Sequence, residues 1–385
     1  MISVDRASRC RIEPSARSPS QLVPTELWQK IFTIACLDDG STGRSLSLVS
    51  RYVRETSKPF KFQSLAIRNL RQAEALPHAL KQRAPNQQPV NHLFVLCDLE
   101  KMHPCGNTEQ EKVASSSSLR RFTSMLSRLS PKHKPPRTEQ SPFEIILSEL
   151  HKVQKPVSPV MLETLMAVAV CCILVAISPT LRTLSISISS AESFFSLYGS
   201  SALPVLEELT IAYGNGSSMF LPARLLASLQ PLPSLRRLNL HRFYQWLDAP
   251  ELLGHISRFA PNVKLVILPW IRTGWGNYSV LWAHDPWLSL PMCAATIYIQ
   301  FPTPPPPLSP QLHGRTTLSD CRRLAENDDR IIFKRADREP WVFNGRKLEM
   351  EWEARINGSD ECWRTDDGVD LSSSHLDKDM CIFSS

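Results

Sequence analysis

Glycine is scarce in this chain, 13 of 385 residues against 31 proline. Loops that wrap phosphates or dinucleotides need several glycines, because the backbone must come close to the ligand. A chain with this balance has stiff connections and interrupted elements instead. A long apolar run is also missing. The most apolar stretch, Leu165 to Ile177, is well short of the roughly 20 residues that cross a bilayer. It reads as a buried helix. Cysteine is present but never in a CxxC pair, so neither a zinc site nor a thioredoxin-like motif is spelled out. Charge of one sign does not dominate: 44 Lys plus Arg oppose 37 Asp plus Glu, a formal +7. Over this length that is too weak to argue for nucleic acid. Residues Met1 to Pro24 carry Asp5, Arg6, Arg9, Arg11, Glu13 and Arg17 without an apolar h-region. No secretory signal is expected, and the chain reads as soluble and intracellular, cytoplasmic or nuclear.

What is there is 42% apolar residues, enough to exclude wholesale disorder. Charge and proline divide the chain. Between Lys101 and Gln140, eight basic residues face three acidic ones, a net +5, with Ser115 to Ser118 and a PKHKPP tract. Residues 101–142 therefore read as a flexible basic linker. Pro302-Thr-Pro-Pro-Pro-Pro-Leu-Ser-Pro310 reads as an extended segment over 301–312. From Glu326 to Asp379 there are 15 acidic and nine basic residues, so 313–385 is an acidic C-terminal segment. Residues 1–17 are expected to be disordered, 18–65 to form a helical module, and 66–100 a connecting helix and first strand.

Residues 143–300 contain a repeat. Pro179-Thr-Leu-Arg-Thr-Leu-Ser-Ile, Pro204-Val-Leu-Glu-Glu-Leu-Thr-Ile, Pro233-Ser-Leu-Arg-Arg-Leu-Asn-Leu and Pro261-Asn-Val-Lys-Leu-Val-Ile-Leu share one spacing. Apolar residues fall two, five and seven positions after each Pro, at intervals of 25, 29 and 28 residues. That matches or borders a leucine-rich-repeat period of roughly 20–29 residues. Val90, Leu93 and Val95 echo it upstream. Leu221 to Leu229 and Glu251 to Phe259 are helical candidates between the strands, and Leu162 to Ile177 is one that precedes the first. Each L-x-x-L-x-L would make a short strand, with the helix returning the chain for parallel pairing. The Asn or Cys of a regular leucine-rich repeat is absent, so the array is degenerate. An ordinary α/β domain with alternating strands and helices is the other reading.

Leu22 to Phe60 is the sharpest signal. Pro24 and Glu26 suit the start of a helix. At about 100° per residue, Leu27, Trp28, Ile31, Phe32, Ile34 and Ala35 span roughly 160°. A surface helix needs a stripe of only about 100°, so this one is expected to pack on two sides. After the loop Leu37 to Gly43, a second helix would place Leu48, Val49, Tyr52 and Val53 on one face and stop near Pro59. A unit this small rarely supports itself. Its surplus apolar surface implies a partner.

Val23-Pro24-Thr-Glu26-Leu27-Trp28-Gln-Lys-Ile31-Phe32 and Leu46-x-Leu48-Val49-Ser50-Arg51-Tyr52-Val53-Arg54 resemble the F-box. This is the helical module that docks substrate receptors onto the Skp-type adaptor of SCF (Skp–cullin–F-box) ubiquitin ligases. The match covers about 40 residues. The wider layout is similar to F-box-like proteins abundant in mushroom-forming fungi, with A/S-P-x-L-R-x-L strands, here Ser178-Pro-Thr-Leu-Arg-Thr-Leu184, and a Trp-containing acidic tail. The resemblance implies an α+β or α/β chain, with a short all-helical F-box followed by an irregular leucine-rich-repeat-like solenoid. It implies Pro24, Leu27, Ile31, Leu48 and Val49 as adaptor-facing residues. A Skp-type adaptor, and through it a cullin-RING ligase, would be the partner. It implies no catalysis, because ubiquitin transfer belongs to the partner enzymes.

Enzymatic alternatives find little in the residues. There is no G-x-S-x-G, and Gly214-Asn-Gly216 lacks the third Gly and the Lys of a phosphate loop. Cys171-Cys172 lies in an apolar helix, where Cys acts as a small hydrophobe. The ten His show no metal-binding spacing, and Asp38-Asp39 suits a turn. The basic stretch has one aromatic residue, Phe122, so it offers no stacking platform for nucleic acid. No cofactor, metal, catalytic residue or membrane partner is expected. The expected role is a non-enzymatic adaptor that selects a protein for ubiquitination. The competing role is an interaction scaffold whose helices merely cap the repeats. Within the repeats, the pairs Arg182 and Thr183, Glu207 and Glu208, Arg236 and Arg237, and Lys264 and Leu265 include positions expected on an exposed strand face, which Ser187, Ala212 and His241 would extend. Arg236, Arg237, Tyr244 and Trp246 are the candidates for substrate contact. Tyr244 and Trp246 would equally serve as cover for the repeat core.

Overall fold

A computed structural model of the chain describes residues 23–81, 89–96, 159–188, 202–213, 230–241, 255–269, 296–301, 329–335 and 345–359. The expectations for 1–17, 101–142, 302–312, Leu221 to Leu229, Tyr244 and Trp246 lie outside these residues. Among the described residues the chain mixes helices with one eight-stranded, wholly parallel sheet. The strands are β1 (Ser64–Ile67), β2 (His92–Leu96), β3 (Thr183–Ile188), β4 (Glu208–Tyr213), β5 (Arg237–His241), β6 (Leu265–Pro269), β7 (Thr296–Phe301) and β8 (Ile331–Arg335).

Their spatial order is their order in the chain. A doubly wound α/β sheet reverses direction at a switch point, where its ligand crevice opens. This sheet has no reversal. Each strand adds to the edge left by the one before.

The register explains why. Leu93, Leu184, Leu209, Leu238 and Val266 stand side by side across β2 to β6. Val95, Ile186 and Ile211 form a second row. In β3 to β6 these are the positions five and seven after the repeated Pro, and all the residues of both rows are buried. Leu181, Leu206, Leu235 and Val263, two after each Pro, are buried as well. With α4 (Leu70–Lys81) and α5 (Pro159–Ile177), they close one apolar core against one face of the sheet. Helix α5 runs apolar all round from Leu165 to Leu174, and nearly all of it is buried. No helix among the described residues is long and apolar enough to cross a membrane.

Two ladders bind the units edge to edge. Backbone N–H groups of Asn91, Arg182, Glu207, Arg236, Lys264 and Thr296 each donate to the equivalent carbonyl one unit back, at 2.8–3.0 Å. The residue after the repeated Pro supplies a side-chain version. Thr180 Oγ1 donates to Val90 O at 3.0 Å, Ser234 Oγ to Pro204 O at 2.6 Å and Asn262 Nδ2 to Pro233 O at 2.8 Å. These three polar residues each tie their loop to the loop before the neighbouring strand.

Three strands were not foreseen. β1 begins inside 18–65, β7 runs across the boundary at 300, and β8 lies within 313–385, so the sheet runs through boundaries drawn from composition. The helical candidate at Glu251 to Phe259 is helical over 255–259. The expected second helix is divided. Helix α2 (Ser41–Val49) ends at Ser50, whose extended backbone (φ −160°, ψ 165°) opens α3 (Arg51–Ser57). Ser50 Oγ accepts from the Val53 N–H at 3.1 Å, the bond by which a hydroxyl starts a helix rather than continuing one. Val53 is therefore buried while Leu48 and Val49 are exposed, and the four residues do not share one face.

Candidate functional site

Two surfaces collect the residues singled out from the sequence. The first is the helical module. Helix α1 (Thr25–Ala35) starts after Pro24, buries Phe32 and stacks Trp28 on it with centroids 5.4 Å apart. Leu27, Ile31 and Ile34, spaced i, i+4 and i+7, form the other flank of its apolar arc. They face outward: Leu27 is 49%, Ile31 48% and Ile34 69% exposed, and on α2 Leu48 is 82% and Val49 67% exposed. Pro24 is exposed too. All five expected adaptor-facing residues are thus at the surface of this module. The loop before α2 is built by its acidic pair. Asp38 accepts from the N–H groups of Gly40 and Thr42 and from Ser41 Oγ, each at 2.8 Å, and Asp39 from Ser41 N–H at 2.9 Å. Gly40, at φ +88°, takes the left-handed turn this needs. Cys36 is buried beneath the module, and burial, then Asp38, pushes its thiol up to about 11. Such a thiol is no nucleophile.

The second surface is the sheet face opposite the main core. Glu208 and Arg237 are cross-strand neighbours there, 3.0 Å apart. Arg236 lies exposed just before β5. Beside them the face is not open, contrary to the sequence reading. Thr183, Ser185, Ser187 and Ala212 are buried. The cover is α6 (Gly345–Ile356), from the acidic C-terminal segment. Leu348, Trp352 and Ile356, at i, i+4 and i+8, pack on Phe94, Leu96 and Ala212, with the Trp352 and Phe94 ring centroids 5.6 Å apart. A Cβ on Gly345 would lie 2.6 Å from Leu96 Cδ1, so glycine lets the helix begin hard against β2. Gly358, at φ +87°, ends it: its N–H donates to Arg355 O and that of Ser359 to Ala354 O, at 2.9 Å each, a Schellman closure.

Charges fix both flanks of α6. On one, Glu349 meets Arg68, which also holds Asp39 of the α1–α2 loop at 2.7 Å. On the other, Arg355 pairs with Glu208, and Glu351 lies 3.7 Å from His241. Asn357 Nδ2 adds a bond to Leu37 O at 3.0 Å. Acidic residue types in 345–356 were visible in the sequence; their seat on β2 and β3 was not. Among the described residues no group of His, Cys, Asp and Glu is arranged to hold a metal ion. Comparison with family models, with curated proteins and with solved structures returns no match for this chain.

Proposed function

We propose that the chain is the substrate-recognition adaptor of an SCF-type, cullin-RING ubiquitin ligase. In this reading α1 to α3 are an F-box that binds a Skp-type adaptor through Pro24, Leu27, Ile31, Leu48 and Val49. The sheet region is a degenerate leucine-rich-repeat-like array that holds a protein substrate. The chain itself carries out no chemistry; it brings two proteins together. The observation that supports this best is the outward apolar set Leu27, Ile31, Ile34, Leu48 and Val49. Large apolar side chains on adjacent short helices are normally consumed by a core, and when they are not, they mark a protein interface. Residues Arg236, Arg237, Tyr244 and Trp246 remain candidates for substrate contact, since Arg and aromatic side chains dominate interface energetics.

A scaffold that contacts no ligase is the competing reading, and the anchoring of the α1–α2 loop favours it. The Arg68–Asp39 pair, and the bond from Gln63 Nε2 to Thr33 O at 3.2 Å, attach the helices to the sheet edge, as a cap would be. Pull-down of a purified Skp-type adaptor separates the two. The ligase reading expects binding by the native chain and its loss in Leu27→Ala/Ile31→Ala and in Leu48→Asp/Val49→Asp, with helix content unchanged. Binding that is absent in the native chain, or equal in all three proteins, overturns it.

A further inference from the structure

Helix α6 covers the sheet without fitting it fully. Beneath and beside it, Ser185 Oγ, Ser187 Oγ and Asn239 Oδ1 are buried with no hydrogen-bond partner, and so is Trp352 Nε1 of the helix itself. Buried polar groups are nearly always satisfied, and each one that is not costs free energy. A second amphipathic helix whose polar side chains reached these atoms would bind the same face better than α6 does. The contacts that seat α6 come from side chains: the Trp352–Phe94 pair, the ion pairs to Arg68 and Glu208, and the approach of Glu351 to His241. The helix adds no strand to the sheet.

We propose that the face formed by Phe94, Leu96, Ser185, Ser187, Ala212 and Asn239 is a helix-binding seat, held in cis by α6 and taken over by a helix from a protein partner. The chemistry of α6 specifies the partner, with the addition of polar side chains that reach Ser185, Ser187 and Asn239. It is an amphipathic helix with apolar residues at i, i+4 and i+8 and an aromatic ring at the middle one, to lie on Phe94. A carboxylate at i+1 meets Arg68, and a cation at i+7 meets Glu208. These are the positions of Leu348, Glu349, Trp352, Arg355 and Ile356. Because Arg68 also holds Asp39, removal of Glu349 leaves that carboxylate as its only partner in the triad. Loss of α6 from the face is thereby felt in the loop between α1 and α2 until the partner's carboxylate takes the place of Glu349. The seat stands on the packing of α6 alone; only its use for delivering a ubiquitination substrate rests on the adaptor reading.

A tethered helix sees its seat at an effective concentration of order millimolar, so a free competitor is suppressed until the tether is cut. The test places a protease site between residues 335 and 345 of the full chain and follows a fluorescent peptide of residues 345–359 by anisotropy. After cleavage the peptide should exchange with the resident segment and bind saturably, at least tenfold more tightly than to the uncut chain. A peptide carrying Trp352→Ala should bind at least tenfold more weakly than the native peptide. In the uncut chain, Trp352→Ala should speed amide hydrogen exchange across 345–356 while β3 and β4 stay protected. The proposal is overturned if the peptide never exchanges or if native and Trp352→Ala peptides bind alike. It is equally overturned if the sheet loses its circular dichroism once the segment is displaced, since α6 would then be a permanent part of the core. Adaptor pull-down has no part in these readouts, so either proposal can fail while the other stands.

Discussion

Arg68 and Glu349 are 281 positions apart in the chain, and Arg68 Nε donates to Glu349 Oε1 over 2.7 Å. The same guanidinium donates through Nη2 to Asp39 Oδ2, also at 2.7 Å. Three pieces of chain meet at one cation: the loop of the helical module, the exit of β1 and the helix on the sheet face. Burial alone would raise the Asp39 carboxyl, but hydrogen bonds from Arg68 and Ser41, with the Arg68 charge, hold it below its ordinary value. Glu353 moves the other way, raised by burial and by neighbouring Glu349 and Asp39.

Removing Arg68 leaves Asp39 and Glu349 close together without their shared cation. Hydrogen bonds to charged groups contribute about 1.5–3 kcal/mol. The Arg68 side chain is 35% exposed, so solvent screening reduces this, and Arg68→Ala should cost about 1–2 kcal/mol. A double-mutant cycle with Glu349→Gln, read by urea denaturation at low salt, should give a coupling of about 1 kcal/mol. Strict additivity would show that the pair is held apart in solution. The sign with pH follows from Asp39. Its depressed carboxyl contributes stability above its unfolded value near 4, and that stability is lost as pH falls through the lower folded value.

Leu209 and Leu48 are the same residue type in opposite surroundings. Leu209 is buried in the row shared by β3, β4 and β5, and Leu48 is the most exposed of the large apolar residues described. Leu209→Ala should destabilise by about 2–5 kcal/mol, the cost of lost transfer plus a cavity. Leu48→Ala should change stability by no more than about 0.5 kcal/mol. Equal losses in thermal denaturation would mean that α2 is buried by the rest of the chain.

Much of the sheet was legible because its units announce themselves. The Pro-x-L-x-x-L-x-L frames at 179, 204, 233 and 261 set strands β3 to β6, and Leu93 and Val95 marked β2. β1, β7 and β8 were missed for a physical reason. Leu65, Ile297 and Ile331, which stand in the row of the repeated Leu, have no Pro five residues before them, so these three strands lack the frame that marks the others. The division of the second helix was within reach, since Ser50 is a good helix-starting residue. The seat of α6 was not. Its apolar stripe is readable, but a stripe names no partner, and Trp352 finds Phe94 only once the sheet has brought its strands together. The same gap led the face around Ser187 and Ala212 to be read as open.

Gly43 supplies a test of close packing. It lies inside α2, where replacing glycine with alanine ordinarily stabilises a helix by up to about 1 kcal/mol. Here a Cβ would stand 2.7 Å from the Lys61 carbonyl oxygen and 2.9 Å from its Cα. These are backbone atoms and cannot rotate away. Gly43→Ala should therefore reverse the usual sign and destabilise by about 1–3 kcal/mol, as overpacking does. A stabilised variant in urea titration would place α2 farther from Lys61.

His92 gives the chain an acid-sensitive point in the sheet. It stands in register with Ser64 on β1 and Thr183 on β3, and its Nδ1 is buried with no hydrogen-bond partner. Burial first, and the charge of Arg182 second, push the imidazole down to about 4. In the unfolded chain the same ring titrates near 6.5. As pH falls from about 6.5 to 4, the unfolded state takes up a proton that the folded state refuses, so stability falls with it. Above pH 6.5 the ring is neutral in both states and adds no pH dependence. Between pH 7 and 5 the loss from this ring should be about 2 kcal/mol. His92→Gln keeps a neutral polar side chain and removes the titration. Its urea-derived stability should therefore fall about 2 kcal/mol less than that of the native chain over the same interval. The carboxylates are common to both proteins and cancel in the difference. Parallel pH profiles for the two would show that the His92 ring reaches water in the folded protein.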